Sequence, residues 1–238
     1  MIAVALDTAG APAVRGWIRP SDGSYAKEMF DLMGWDAALA AKAAAPTFPC
    51  LIDERHLVAE LYGFVNVPMA VWIDERGRIV RPAEAAGTGD SFRKLDPATF
   101  ALPPDAAAAG KRRRNIYVDA LRDWAKNGDR SEHALSADEA RRRIQGPSQD
   151  VARAAAEYRL GEHLYRSGRL DAAKPHLAEA VRLHPDNWSY RRNHYMLDPG
   201  SVGELNAGPE FWQAVVALGD RPYYPPIQMK GMTDVDSK

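Results

Sequence analysis

The chain opens on a short apolar run, Ile2-Ala3-Val4-Ala5-Leu6, closed by Asp7-Thr8-Ala9-Gly10. Bounded in this way, the run predicts a buried strand. The text from Ser21 to Ala45 is dense in alanine and leucine, bracketed by Pro20 and Pro46, and predicts helix. Phe48-Pro49-Cys50-Leu51-Ile52 predicts a second strand. Asp53 stands at a helix N-cap position before Glu54–Tyr62, where Leu57, Leu61 and Val58, Tyr62 fall at i,i+4 spacing, and Gly63 stops that helix. Met69–Ile73 reads as a third strand, Asp74-Glu75-Arg76-Gly77 as a turn, and Arg78–Arg81 as the returning strand, ended by Pro82. Short apolar strands joined by helical crossovers imply a mixed α/β sheet.

From there the period changes to that of helices. Residues 83–111 are rich in Ala, Gly, Pro and Asp, with Pro103-Pro104 and a run of four alanines, and read as a linker. Lys111-Arg112-Arg113-Arg114 opens a helix through Asn127, whose apolar face is Ile116, Tyr117, Ala120, Leu121 and Trp124. Ser136 and Glu139 are spaced as a capping box for the helix that carries Arg141-Arg142-Arg143. Trp188–Met196 supplies large aromatic area, and Pro209-Glu210-Phe211-Trp212 begins an apolar helix to Leu218. Pro222-Tyr223-Tyr224-Pro225-Pro226 predicts an extended tail whose aromatics clamp onto the body, with disorder after Lys230.

Charge and composition narrow the function classes. The chain has 238 residues, with 31 Lys+Arg against 32 Asp+Glu and a formal net charge of -1. That balance argues against a globally basic nucleic-acid binder, and the two arginine runs read as solvated helix faces. No apolar run approaches the ~18–20 residues of a membrane-crossing helix. The start has no basic segment before its acid and does not read as a signal peptide, so a cytoplasmic protein is expected. The six histidines show no zinc-site spacing, and no phosphate-loop, dinucleotide or nucleophile-elbow motif occurs; no cofactor and no metal site are expected. His163 and His176 read as polar helix-surface residues, Asn187 as a helix cap, and Asn193 as a surface residue.

Within this pattern, Phe48-Pro49-x-Leu51-Ile52-Asp53, Val58-Ala59-x-x-Tyr62-Gly63, Asn66-Val67-Pro68 and Val71-Trp72-Ile73-Asp74-x-x-Gly77-Arg78-Ile79-Val80 together resemble the second half of a thioredoxin-fold domain. The resemblance is to the redoxin branch, the AhpC/TSA and TlpA/ResA-like thiol–disulfide oxidoreductases of cell redox homeostasis. It covers roughly residues 2–88 and is weakest between Gly10 and Ala45. It implies that Val4-Ala5-Leu6-Asp7 is the strand after the cysteine-bearing helix, and that Pro68 is the family's cis-proline. It also implies that Val67 and Pro68 offer the substrate-binding surface to an extended thiol or disulfide partner, protein or peptide.

The family's chemistry needs a thiolate at a helix N-terminus. The chain has one cysteine. Cys50 lies in a strand run and is expected to pack as a small hydrophobe. The strand and helix that carry the reactive cysteines should lie upstream of Ile2. A truncated product is therefore expected, exported in its complete form if the missing part includes a leader, or else a degenerate member; no catalytic residue is assigned.

Residues 154–187 resemble one 34-residue tetratricopeptide (TPR) unit: Leu160-Gly161, Leu164, Gly168, Ala173, Leu177, Ala180 and Pro185 hold its positions, with Glu157 where a Trp is usual. One repeat cannot bury its own apolar face, so it must pack on neighbouring helices. The expected fold is an α/β thioredoxin-like domain, lacking its usual N-terminal strand and cysteine-bearing helix, followed by an α-helical TPR-like domain. The divisions are 1–90 for the first, 91–110 for a linker, 111–200 for the second, and 201–238 for an aromatic and proline-rich tail. Two functions follow: an oxidoreductase family member that is inactive or truncated in this chain, or a non-catalytic protein-interaction module. Self-association through an unpaired strand edge is expected in either case.

Overall fold

The computed structural model describes residues 1–18, 46–96, 99, 101–144, 146–195 and 208–232. The helix expected over 21–45 lies outside the described residues. Strand β1 (Ala3–Ala5) and a short turn of helix, α1 (Ala11–Val14), precede β2 (Cys50–Ile52), helix α2 (Leu57–Tyr62), β3 (Met69–Ile73) and β4 (Ile79–Ala85). After them come a 3-10 turn at Asp90–Lys94, α3 (Pro104–Asn127), a second 3-10 turn at Gly128–Arg130, α4 (Ala137–Arg143), α5 (Gln149–Arg166), α6 (Leu170–Leu183), α7 (Trp188–Tyr195) and α8 (Pro209–Val216). The architecture is mixed α/β with small sheets and a large helical part.

The described strands form two separate pairs rather than the one mixed sheet expected. β1 runs parallel to β2, with Val4 opposite Leu51, and β3 runs antiparallel to β4. β4 also runs through Pro82 instead of ending there. Between the pairs Ala70–Glu84 and Trp72–Arg81, β4 carries one residue more than β3, and Pro82 sits in that bulge. A bulged residue owes the ladder no N–H, so proline is tolerated there.

Asp53 caps α2 as expected, but from further away. Its carboxylate accepts the N–H groups of Leu57, Val58 and Ala59 at 2.8, 2.7 and 3.2 Å. The helix itself starts at Leu57 rather than Glu54. The linker is also shorter than expected, because α3 begins at Pro104, where the proline needs no N–H partner in the first turn. Arg113 is buried and Arg114 half-buried, so the basic run is not a solvated helix start. Arg113 donates to Ser91 Oγ at 3.4 Å.

Three apolar clusters hold these elements together. Trp72, Val80 and Ala85 of the hairpin pack on Tyr117 and Ala120 of α3 and on Ile227, Met229 and Met232. Trp72 Nε1 donates to Tyr117 Oη at 2.9 Å, and Trp124 stacks on Trp72 with ring centroids 5.1 Å apart. The disorder expected after Lys230 is therefore wrong for Gly231 and Met232: both are placed, and Met232 has no exposed surface. Residues 233–238 lie outside the described residues.

The second cluster joins α5, α6 and α7 through Ala154, Tyr158, Leu177, Ala180 and Tyr190. A Cβ on Gly161 would lie 2.6 Å from Leu177 Cγ, so glycine sets how closely α5 and α6 approach. Gly168, at φ +75°, makes the turn between them. The third cluster gathers Trp188, Phe211, Val215, Leu218 and Tyr223. Asn187 caps α7 by accepting the Tyr190 N–H at 3.0 Å.

Candidate functional site

The residues implied to bind substrate, Val67 and Pro68, lie together on the loop from Gly63 to Pro68 that enters β3. Both are exposed, Val67 at 44%, and the peptide bond between them is cis. Gly63, at φ +69°, ends α2 and turns the chain into this loop. Beyond it β3 pairs with β4, and among the described residues no strand lies on its other side.

The loop is held from three directions. Val65 carbonyl accepts the N–H groups of Trp188 at 2.7 Å and Ser189 at 3.3 Å, so it closes the N-terminus of α7. Asn66, only 1% exposed, accepts the Val67 N–H on Oδ1 at 2.9 Å and the Tyr223 hydroxyl on the same oxygen at 3.3 Å. Its Nδ2 is buried without a hydrogen-bond partner. Val67 carbonyl accepts the Tyr224 hydroxyl at 2.5 Å. On the far side, Pro68 carbonyl accepts the Ala86 N–H at 3.2 Å.

Tyr223 and Tyr224 reach this position because Asp90 anchors their backbone. Its two carboxylate oxygens accept the N–H groups of Tyr223 and Tyr224 at 2.7 and 2.9 Å. Arg93 pairs with Asp90 and also donates to the carbonyls of Gly219 and Arg221, holding the turn that delivers the tyrosines. Arg192 Nη2 donates to the Tyr223 hydroxyl at 3.3 Å. Burial raises the phenols of Tyr223 and Tyr224 above an ordinary range that already lies far above neutral, and both are protonated donors at neutral pH.

A second polar cluster joins α2 to the helical part. His56, with φ 53°, is buried, and its Nδ1 lies 2.9 Å from the Tyr158 hydroxyl, which also accepts Asn193 Nδ2 at 2.6 Å. Asn193 is therefore a bridging residue instead of a surface one. Burial lowers the His56 pKa, opposed by the charges of Glu162, Asp53 and Asp7. Around it Arg159 pairs with Glu60 at 2.6 Å and Arg166 donates to the Glu54 carbonyl.

Cys50 is exposed, not packed. The two-stranded sheet in which it lies leaves Leu51 exposed as well, so neither face is fully covered. Its Sγ lies 3.6 Å from the Phe48 carbonyl, on a strand rather than at a helix start. His163 is exposed and His176 pairs with Glu157 at 2.7 Å; among the described residues no group of three or more His, Cys, Asp or Glu could hold a metal ion. No described helix is long and apolar enough to cross a membrane. Compared with known protein families, curated proteins and solved structures, the chain matches none.

Asn66, Asp90 and the hydroxyl of Tyr224 were not legible as site residues. The Tyr223-Tyr224 pair announces a clamp, but nothing in the pattern names Val67 as what it holds. What the site can do follows from its groups: it presents the exposed apolar side chains of Val67 and Pro68 at the start of β3, whose second edge pairs with no strand among the described residues.

Proposed function

We propose that this chain belongs to the thioredoxin-like redoxin class of thiol–disulfide oxidoreductases, of TlpA type, joined to a TPR-like helical region. In this reading its residues supply the polypeptide-binding side of that chemistry and not the thiols. The observation that supports it is the exposed Val67–Pro68 pair at the mouth of β3, reached in the chain order β2, α2, loop, β3, β4. The partner is an extended protein or peptide segment that carries a thiol or disulfide. Disulfide exchange requires an attacking thiolate and usually a second cysteine to resolve the mixed disulfide. The 238 residues contain one cysteine, on β2. The chain by itself therefore completes no dithiol cycle.

A fluorescein-labelled, S-carboxymethylated insulin B chain tests the binding side. The expected result is saturable binding that weakens about tenfold in Val67→Asp, where a carboxylate must be desolvated against the incoming chain. Binding indifferent to Val67→Asp overturns the assignment. In an insulin-reduction assay the purified chain is expected to give no turnover; turnover abolished by Cys50→Ser would overturn the claim that it lacks a working thiol.

A second reading, a non-catalytic interaction module, draws on a different observation. Leu57 and Leu61 lie one turn apart on α2 and are both exposed, Leu61 at 71%. In that case the contact surface is α2 with the neighbouring TPR-like helices, and Leu61→Asp, rather than Val67→Asp, abolishes partner binding.

A further inference from the structure

This inference rests on the reading that the Val67–Pro68 edge receives an extended polypeptide. Strand-type docking works through backbone groups: the incoming chain's N–H must find a free carbonyl, and its carbonyl a free N–H. At Val67 both groups are already satisfied inside the molecule. The N–H stays on Oδ1 of the buried Asn66, which leaves the carbonyl as the one group an incoming N–H can use, and the carbonyl takes the Tyr224 hydroxyl. We propose that Tyr224 is a built-in competitor for this edge, its hydroxyl standing where the first backbone N–H of a bound peptide would stand.

The surrounding anchors decide which part of this contact can move. The backbone of 223 and 224 is fixed on Asp90 by two hydrogen bonds, and a few residues downstream Ile227, Met229 and Met232 are buried in the hairpin core. The segment therefore does not lift away as a unit. Tyr223 is buried, with its hydroxyl on Asn66, and stays in place. Tyr224 is the half-buried member of the pair: its ring meets Phe92 and Tyr223 edge-on, and its hydroxyl bond to Val67 lies at the exposed side. A rotation of this one side chain frees the Val67 carbonyl while the backbone anchors on Asp90 stay made, at the cost of the ring's packing beside the two apolar clusters it borders. A phenol is protonated across the neutral range and burial only raises its pKa, so the contact opens by competition with an incoming donor and not by a change in pH. The closed form reduces apparent affinity by the fraction of molecules in which the carbonyl is taken.

Tyr224→Phe removes only the hydroxyl and tests the idea. Two measurements separate its parts. The 13C resonance of the Val67 carbonyl reports whether the hydroxyl is bound there, and it is expected to move upfield in the variant; an unchanged resonance overturns the contact. Affinity for the labelled S-carboxymethylated insulin B chain is expected to rise about 2- to 10-fold, the range that one neutral hydrogen bond is worth. If both proteins bind the peptide equally, or the variant binds more weakly, the edge is a binding site and the competitor role is wrong. If neither protein binds the peptide at all, the polypeptide-binding reading itself fails and the competitor role falls with it.

Discussion

Gly161 shows how one missing atom fixes the spacing of two helices. A methyl group there would meet Leu177 Cγ at 2.6 Å and the Leu177 backbone nitrogen at 3.2 Å. Alanine gains roughly 1 kcal/mol of helix propensity over glycine, whereas overpacking a core costs roughly 1–3 kcal/mol, so Gly161→Ala should be destabilising by up to about 2 kcal/mol. Urea denaturation measures this, and combining it with Leu177→Ala should remove the penalty of the added methyl. His56 gives a pH prediction. Its folded pKa lies below the ordinary 6.5, so below that value the unfolded chain takes up a proton that the folded one refuses. Stability is therefore complete at neutral pH and declines as the pH falls through about 6.5; the half-buried His184 and His194 act with the same sign. The urea midpoint should be lower at pH 5.5 than at 7.5. The decline should be shallower in His56→Asn, a residue that tolerates the left-handed backbone at this position.

At the scale of elements, local signals were readable and distant ones were not. The two helices of residues 149–183 announce themselves by Gly161, Gly168 and a run of small residues, and the hairpin by its Asp-Glu-Arg-Gly turn. Those signals act within a few positions of one another. The split of the sheet and the burial of Arg113 depend on partners some twenty or more residues away, and the bulge at Pro82 on the register of the facing strand, none of which a local period encodes. The segment 222–232 is the sharpest instance. Its prolines and polar neighbours suggest a tail, yet Arg81, buried and paired with Glu84, donates to the Gln228 carbonyl at 3.0 Å and draws the segment across the hairpin. Met232→Ala should therefore cost about 2–5 kcal/mol, as for other fully buried methionines, where a frayed end would cost nothing. Thermal or urea denaturation decides between the two.

For the molecule as a whole, the Gly63–Pro68 loop is the place where separate parts meet. α7 donates to Val65, the C-terminal tyrosines hold Asn66 and Val67, and α2 beside it is joined to α5 by His56, Arg159 and Arg166. Such stitching should make the hairpin and helices unfold together, so tryptophan fluorescence and far-ultraviolet circular dichroism are expected to give coincident urea transitions. Separate transitions would mean that the stitches are weaker than the clusters they join. Only half of the site was visible in the sequence, because Val67-Pro68 is contiguous whereas Tyr224 lies 157 positions further on. That separation also matters during biosynthesis. The hairpin emerges from the ribosome long before the chain that completes its core and grips its loop, since Gln228 follows Arg81 by 147 positions. Translation proceeds at about 5–20 residues per second, so for some 7–30 s each nascent chain carries the hairpin roofed by no more than α3, whose Tyr117 and Trp124 cover Trp72 first. During that interval the places of Ile227, Met229 and Met232 in the core stand open.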